Sequence, residues 1–115
     1  MIGIGIDLVD IARLGRVLTR RPGMAERLFT DEERQVTLGG LAARFAAKEA
    51  AMKALGVGLG AFGFHDVAVR RQEGGAPTLV VTGAAAALAA DRGVRAWKVS
   101  LTHTDALAEA VVVAL

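Results

Sequence analysis

The sequence predicts one compact domain in which helices pack with strands, and three kinds of stretch carry that prediction. Residues 44–56, RFAAKEAAMKALG, are dominated by the residue types that lose least on entering a helix, and Gly56 stands where a left-handed cap would end one. Residues 2–11, IGIGIDLVDI, set Ile2, Ile4, Ile6 and Leu8 at one parity and read as a strand with one strongly apolar face. Two later pairs of strand-like runs, each joined by a short turn, read as hairpins. A chain of 115 residues, 53% hydrophobic with two prolines, suffices for one such domain and is too short for two ordinary ones.

In the N-terminal strand, Ile2, Ile4, Ile6 and Leu8 form one strongly apolar face, while Gly3, Gly5, Asp7 and Val9 occupy the other. The glycines admit another backbone or a ligand, and Asp7 follows them on the same face. They do not make a dinucleotide fingerprint, because Leu8 stands where the third glycine belongs. From Asp10, a candidate N-cap, the spacing of Ile11, Leu14, Val17 and Leu18 becomes helical. The opposite side carries Arg13, Arg16 and Arg20, with Arg21 following, and residues 11–21 contain no acid. A helix of like charges gains nothing internally, so this face suits an external acidic surface as well as it suits plain solvation.

Pro22 and Gly23 break that helix, and Thr30 to Glu33, TDEE, fits a capping box opening a short second one, with Leu28 and Phe29 packing before it. Residues 37–40 read as a connection into the helix of residues 44–56, about three and a half turns long. On it, Arg44 and Lys48 share one side, and Glu49 and Lys53 share another. Leu41, Phe45, Met52 and Leu55 supply apolar packing, and the alanines allow close approach. The following GVGLG, residues 56–60, lies at a helix C-terminus and lacks the lysine and hydroxyl of a phosphate-binding loop, so it reads as a turn. Phe62 and Phe64 read as core, and His65 between them and the next strand carries no assigned role.

Residues 66–72 and 77–82 form the first expected hairpin, and residues 83–92 an alanine-rich helix closed by Gly93. Trp97, Val99 and Leu101 alternate with Lys98, Ser100 and Thr102. His103, Thr104 and Asp105 then turn the chain into residues 107–115, which are apolar on both faces and therefore expected at the centre of a sheet. His103 accordingly sits at a strand end, where a hydrogen-bonded structural histidine is the ordinary outcome.

Composition narrows the chemistry. No apolar run reaches the ~18 residues of a membrane span, and no basic stretch leads an N-terminal apolar one, so a cytoplasmic location is expected. Zero cysteines exclude disulfides, thiolate metal sites and a cysteine nucleophile. The formal charge is +2, and eleven of the fourteen basic residues are arginine, which favours planar recognition of carboxylates or phosphates. Asp7 and Glu49 come from separate elements, and two carboxylates without cysteine suit Mg²⁺, whose shell substrate phosphate and water complete. Lysine and arginine nearby would neutralise the remaining phosphate charge, which makes a phosphoryl-transfer set. Spacing alone does not show that these residues converge.

GIGIDLVDIARL, RFAAKEAAMKALG and VSLTHTDALAEAVVV resemble, in order and spacing, the three signature regions of the holo-acyl-carrier-protein synthase family, which are small 4′-phosphopantetheinyl transferases. The resemblance covers essentially residues 1–115 as a single domain. It implies an α+β fold with a small antiparallel sheet packed with helices, assembled as a homotrimer with active sites between protomers. It implies transfer of the 4′-phosphopantetheine arm of coenzyme A to a serine of an acidic apo acyl carrier protein, with release of adenosine 3′,5′-bisphosphate. Under it Asp7 and Glu49 become Mg²⁺ ligands, and Lys53 balances charge on the pyrophosphate. Arg44 and His103 contact coenzyme A phosphates across an interface, with Gly56 and Thr104 alongside the substrate. Glu49 and a metal-bound water remain alternatives for accepting the serine proton. Arg13, Arg16, Arg20 and Arg21 become the docking face for the carrier protein. The segment 35–43 is shorter than in many members of that family, and Met52 and Val57 replace small polar or threonine residues.

Two other function classes compete. A non-catalytic module could use the arginine helix to bind an acidic protein, but it gives Asp7, Glu49 and Lys53 no joint task. A nucleic-acid binder is disfavoured by the small net charge, 4% aromatic content and the lack of a recognised binding motif.

Overall fold

The computed structural model describes residues 1–71 and 73–115. The order is β1 (Gly3–Asp10), α1 (Ile11–Arg20), α2 (Met24–Leu28), a 3₁₀ turn (Glu33–Gln35), α3 (Leu38–Leu55), a 3₁₀ turn (Phe64–Asp66), β2 (Val67–Arg71), β3 (Pro77–Val81), α4 (Gly83–Asp91), β4 (Trp97–His103) and β5 (Leu107–Ala114). The fold is α+β, with one three-stranded antiparallel sheet in the order β1-β5-β4 and a two-stranded one, β2-β3. Both hairpins form where the alternation places them, and Gln72, expected at the end of the first strand of its pair, lies outside the described residues. β5 is central, as its two apolar faces require. Among the described residues no helix is long and apolar enough to cross a membrane.

The buried spine is α3. Seven alanines, from Ala42 to Ala54, are between 0% and 6% exposed, beside Met52 and Leu55. Alanine orders no side chain and keeps the helix surface flat, so strands can lie directly on it. β1 does so through Gly3 and Gly5. A Cβ added to Gly5 would stand 1.8 Å from the carbonyl oxygen of Ala50, and one on Gly3 1.9 Å from that of Ala54. The glycine face of β1 is therefore the inner one. Its apolar face points outward: Ile2, Ile4, Ile6 and Leu8 are between 48% and 59% exposed. Half-buried Val113 and Val111 of β5 lie opposite Ile4 and Ile6 and extend that outer surface.

α3 begins at Leu38, six residues before the expected Arg44, so residues 37–40 are not a loose connection. Thr37 is its N-cap, and the hydroxyl oxygen accepts from Gly40 N at 3.1 Å. That cap holds a first turn containing Gly39 and Gly40, whose low intrinsic propensity hides it in the sequence. Gly56 ends the helix at φ +71°, with its N–H donating to Lys53 O and Val57 N–H to Met52 O. Asp10 caps α1 through Arg13 N at 2.9 Å. The expected capping box is present: Glu33 N donates to Thr30 Oγ1 at 3.2 Å and Thr30 N to Glu33 Oε1 at 3.1 Å. It opens only a single 3₁₀ turn, because the next helix starts at once.

Glu33 has a second task. Its carboxylate, 2% exposed, meets Lys48 Nζ of α3 at 2.8 Å, and Lys48 also donates to Phe64 O at 2.8 Å and Val67 O at 2.5 Å. The other oxygen, Oε2, accepts from Val69 N at 3.1 Å. All three ammonium protons and both carboxylate oxygens have partners, the condition under which a buried charge pair is tolerated. Burial still pulls the Lys48 ammonium below its usual range, with Glu33 opposing. This knot fixes the β2-β3 side of α3.

Candidate active site

Strand parity and helix period bring Asp7, Glu49 and Lys53 together. Asp7 is the next inward position of β1 after Gly3 and Gly5, so the close contact those glycines permit carries its carboxylate onto α3. Lys53 Nζ donates to Asp7 Oδ1 at 3.1 Å and to Ile6 O at 2.9 Å, turning to the strand although Glu49 lies four residues before it on its own helix. The Asp7 side chain is 18% exposed and that of Lys53 54%, so the pair adds little to stability and holds the lysine at the site. Half-buried Glu49 holds its carboxyl above the ordinary range. Burial is the larger cause, the Asp7 charge adds to it, and Lys53 opposes both.

A carboxyl whose ionisation a neighbouring carboxylate opposes fits a cation between the two. Among the described residues no group of three or more His, Cys, Asp or Glu is placed to hold a metal. A site built on Asp7 and Glu49 would draw its remaining ligands from water and substrate, the habit of Mg²⁺. Asp7 and Glu49 line one cavity of about 690 Å³, together with Arg13, Arg27 and apolar side chains including Leu14 and Phe45. Arg27 is the member that sequence reasoning missed. Its helix α2 has five residues after a left-handed Gly23, φ +84°, and no apolar period marks so short an element.

The other residues named from the sequence lie elsewhere in the protomer. None of Arg44, Gly56, His103 and Thr104 lines that cavity. Arg44 stands five residues before Glu49, about 140° around the helix, and is buried at 9% exposure, with Nη1 donating to Gly40 O at 3.2 Å. Its Nε is buried without a partner, and desolvation lowers its pKa. The exposed His103 ring passes over Gly39, where an added Cβ would meet Cε1 at 3.0 Å, and its Nδ1 lies 3.2 Å from Thr104 O. Arg44 and His103 thus both reach the first turn of α3. The Thr104 hydroxyl oxygen accepts from Ala106 N and Leu107 N, which accounts for it as a turn residue. Gly56 is accounted for by its cap. Along α1, Arg13 faces the cavity, Arg16 and Arg20 border a shallow groove with Gly15 and Thr19, and Arg21 follows the last turn, exposed.

The chain matches the 4′-phosphopantetheinyl transferase superfamily over residues 3–114. It is 47% identical over 114 residues to the holo-acyl-carrier-protein synthase of Beutenbergia cavernae, covering 99% of this chain and 97% of that one. The crystal structure of Helicobacter pylori holo-acyl-carrier-protein synthase in complex with coenzyme A superposes with a TM-score of 0.86 at 30% identity, covering 97% and 99% of the two chains. The enzyme of the same name from Neisseria meningitidis gives 0.89 at 31% identity, covering 100% and 98%. With the match running from the first residues of β1 to the end of β5, the chain belongs to the 4′-phosphopantetheinyl transferase superfamily.

Proposed function

We propose that this protein, acting as a single domain over residues 1–115, is a holo-acyl-carrier-protein synthase. It moves the 4′-phosphopantetheine group of coenzyme A onto a serine of apo acyl carrier protein, with Mg²⁺, and releases adenosine 3′,5′-bisphosphate. Relatives named for that activity at this identity and coverage support the reaction class. The observation that carries the chemistry is the convergence of Asp7, Glu49 and Lys53 on one face, two of them opening into a cavity.

Asp7 and Glu49 would hold the cation, and what Mg²⁺ supplies when bound is Lewis-acid polarisation of phosphate oxygens. Lys53 brings a second positive charge to the same edge. Its exposed ammonium, tethered by the Ile6 carbonyl, can shift from Asp7 towards a pyrophosphate oxygen without leaving the site. Leu14 and Phe45 give the cavity an apolar wall that would offer water few partners beside the serine hydroxyl. Arg13 and Arg27 at the same cavity, with Arg16, Arg20 and Arg21 on the adjoining surface, present the positive face that an acidic carrier protein would meet.

The outward apolar face of β1 supports self-association, and a homotrimer is the assembly we propose. A trimer would also explain why Arg44 and His103 sit away from the Asp7–Glu49 cavity, since a neighbouring copy can bring them to the substrate. The direct test follows the small product. Chromatography of a reaction containing coenzyme A, apo carrier protein and Mg²⁺ should show one adenosine 3′,5′-bisphosphate per carrier modified, and none with a chelator. Carrier modification without that product, or equal release with the chelator, would reject the mechanism.

A further inference from the structure

The 3₁₀ turn Phe64–Asp66 is braced from two helices and a strand end. Phe64 O accepts from Lys48 Nζ at 2.8 Å, Asp66 Oδ2 from Ala85 N at 3.3 Å, and Asp66 O from Thr82 N at 2.8 Å. The Phe64 ring stacks on Phe45 with centroids 5.8 Å apart, and both line the Asp7–Glu49 cavity. Between these anchors His65 is exposed and reaches α2, where its Nε2 lies 2.6 Å from Glu26 O. A carbonyl oxygen only accepts, so Nε2 carries the proton and donates.

The Glu26 carbonyl is open to this bond because its helix ends. In a longer helix its donor would be Thr30 N–H, which is instead spent on Glu33 Oε1 at 3.1 Å in the capping box. α2 needs such an outside tie. Five residues are too few for a helix to hold itself, Gly23 brings no capping side chain, and Leu28 is its one buried residue. Yet Met24, Arg27 and Leu28 of α2 form a wall of the cavity. His65 itself does not line that cavity; it opens to a separate depression with Asp31, Arg70 and Thr82.

We propose that His65 is a positioning residue: its bond to Glu26 O ties α2 to the braced turn, keeps Arg27 at the cavity, and so sets the affinity for the acidic carrier protein rather than the rate of transfer. This rests on the transferase reading above and on Arg27 as part of the face the carrier meets. Two amide side chains separate the bond from the ring. Both donate, but the glutamine nitrogen extends as far as Nε2, whereas that of asparagine stops near the position of Nδ1.

The test is steady-state transfer by the wild type and the H65Q, H65N and H65A variants, with apo carrier protein and coenzyme A varied in turn and folding checked by circular dichroism. H65N and H65A should raise the KM for carrier protein about three- to tenfold, while kcat and the KM for coenzyme A stay nearly the same. H65Q should remain close to the wild type. In an R27Q background, H65N should cost less than it does alone. The proposal is overturned by an unchanged KM for carrier protein in H65N and H65A, by a loss confined to kcat or shared equally with coenzyme A, by an H65Q protein as impaired as H65N, or by a full H65N penalty on top of R27Q. A wild type that modifies no carrier would overturn it together with the transferase reading. Should one of the two short variants fail to fold, the other decides.

Discussion

Glu49 carries two opposed demands. Half-buried beside Asp7 it resists ionisation, yet the cation site proposed for it requires it ionised. A carboxyl whose folded pKa lies above its unfolded one binds more protons when folded, so its contribution to stability falls as the pH rises past the ordinary glutamate range. Glu49→Gln removes that loss. In chelator at neutral pH its melting temperature should equal or exceed that of the wild type, and Mg²⁺ should raise only the wild-type value. Turnover should fall by about two orders of magnitude or more, as expected when charge stabilisation at a transferring phosphoryl group is lost. An E49Q protein that still gains stability from Mg²⁺ would remove Glu49 from the metal site. The Glu33–Lys48 pair behaves oppositely. Lys48→Met strands a buried carboxylate and should cost about 3–5 kcal/mol in urea unfolding, while E33Q/K48M should recover part of it. The faces of Asp7, Glu49 and Lys53 are legible in the sequence through strand parity and helix period, while their convergence is not, because nothing local says which strand lies on which side of α3. The burial of Glu33 is not, because its capping-box role already accounts for it, and its ion-pair partner lies 15 residues away on another element.

The contact between α3 and β1 is what places those residues. Gly5→Ala forces a methyl group to 1.8 Å from a backbone carbonyl that a rigid helix cannot withdraw. We expect it to destabilise the fold by about 1–3 kcal/mol or more, and to reduce activity beyond that loss by pushing Asp7 off α3. The same change at Gly58, where an added Cβ would meet nothing within 4 Å, is the control. The proposed docking face belongs to α1. R16E/R20E lies outside the Asp7–Glu49 cavity and should raise the KM for carrier protein, more at low salt than at high, with kcat nearly kept. An unchanged KM would detach that face from the partner. Long periodic elements were readable: α1, α4, β1 and both hairpins stand where their spacing puts them. The first turn of α3 was hidden by Gly39 and Gly40, and α2 by its five-residue length. In both places caps and tertiary contacts outweigh local propensity.

At the scale of the molecule, the alternation of β1 announces an apolar face but not where it points. The glycines decide that, because only their side lets α3 come close, and Ile2, Ile4, Ile6 and Leu8 are left outward. An apolar strip of this kind on an edge strand calls for a covering partner. I4K/I6K should therefore convert the proposed trimer to smaller species in light scattering and cut activity with it. A wild-type protein that is already monomeric at working concentration would contradict the assembly. The central claim is group transfer at the Asp7–Glu49 pair, and intact-mass spectrometry tests it most directly. An apo acyl carrier protein is incubated with coenzyme A and either the wild type or E49Q, with Mg²⁺ or with a chelator. The wild type with Mg²⁺ should add the mass of one phosphopantetheine group, and the other three reactions should leave the carrier almost unchanged. No gain from the wild type on a carrier that another transferase modifies, or an equal gain from E49Q, would contradict the account.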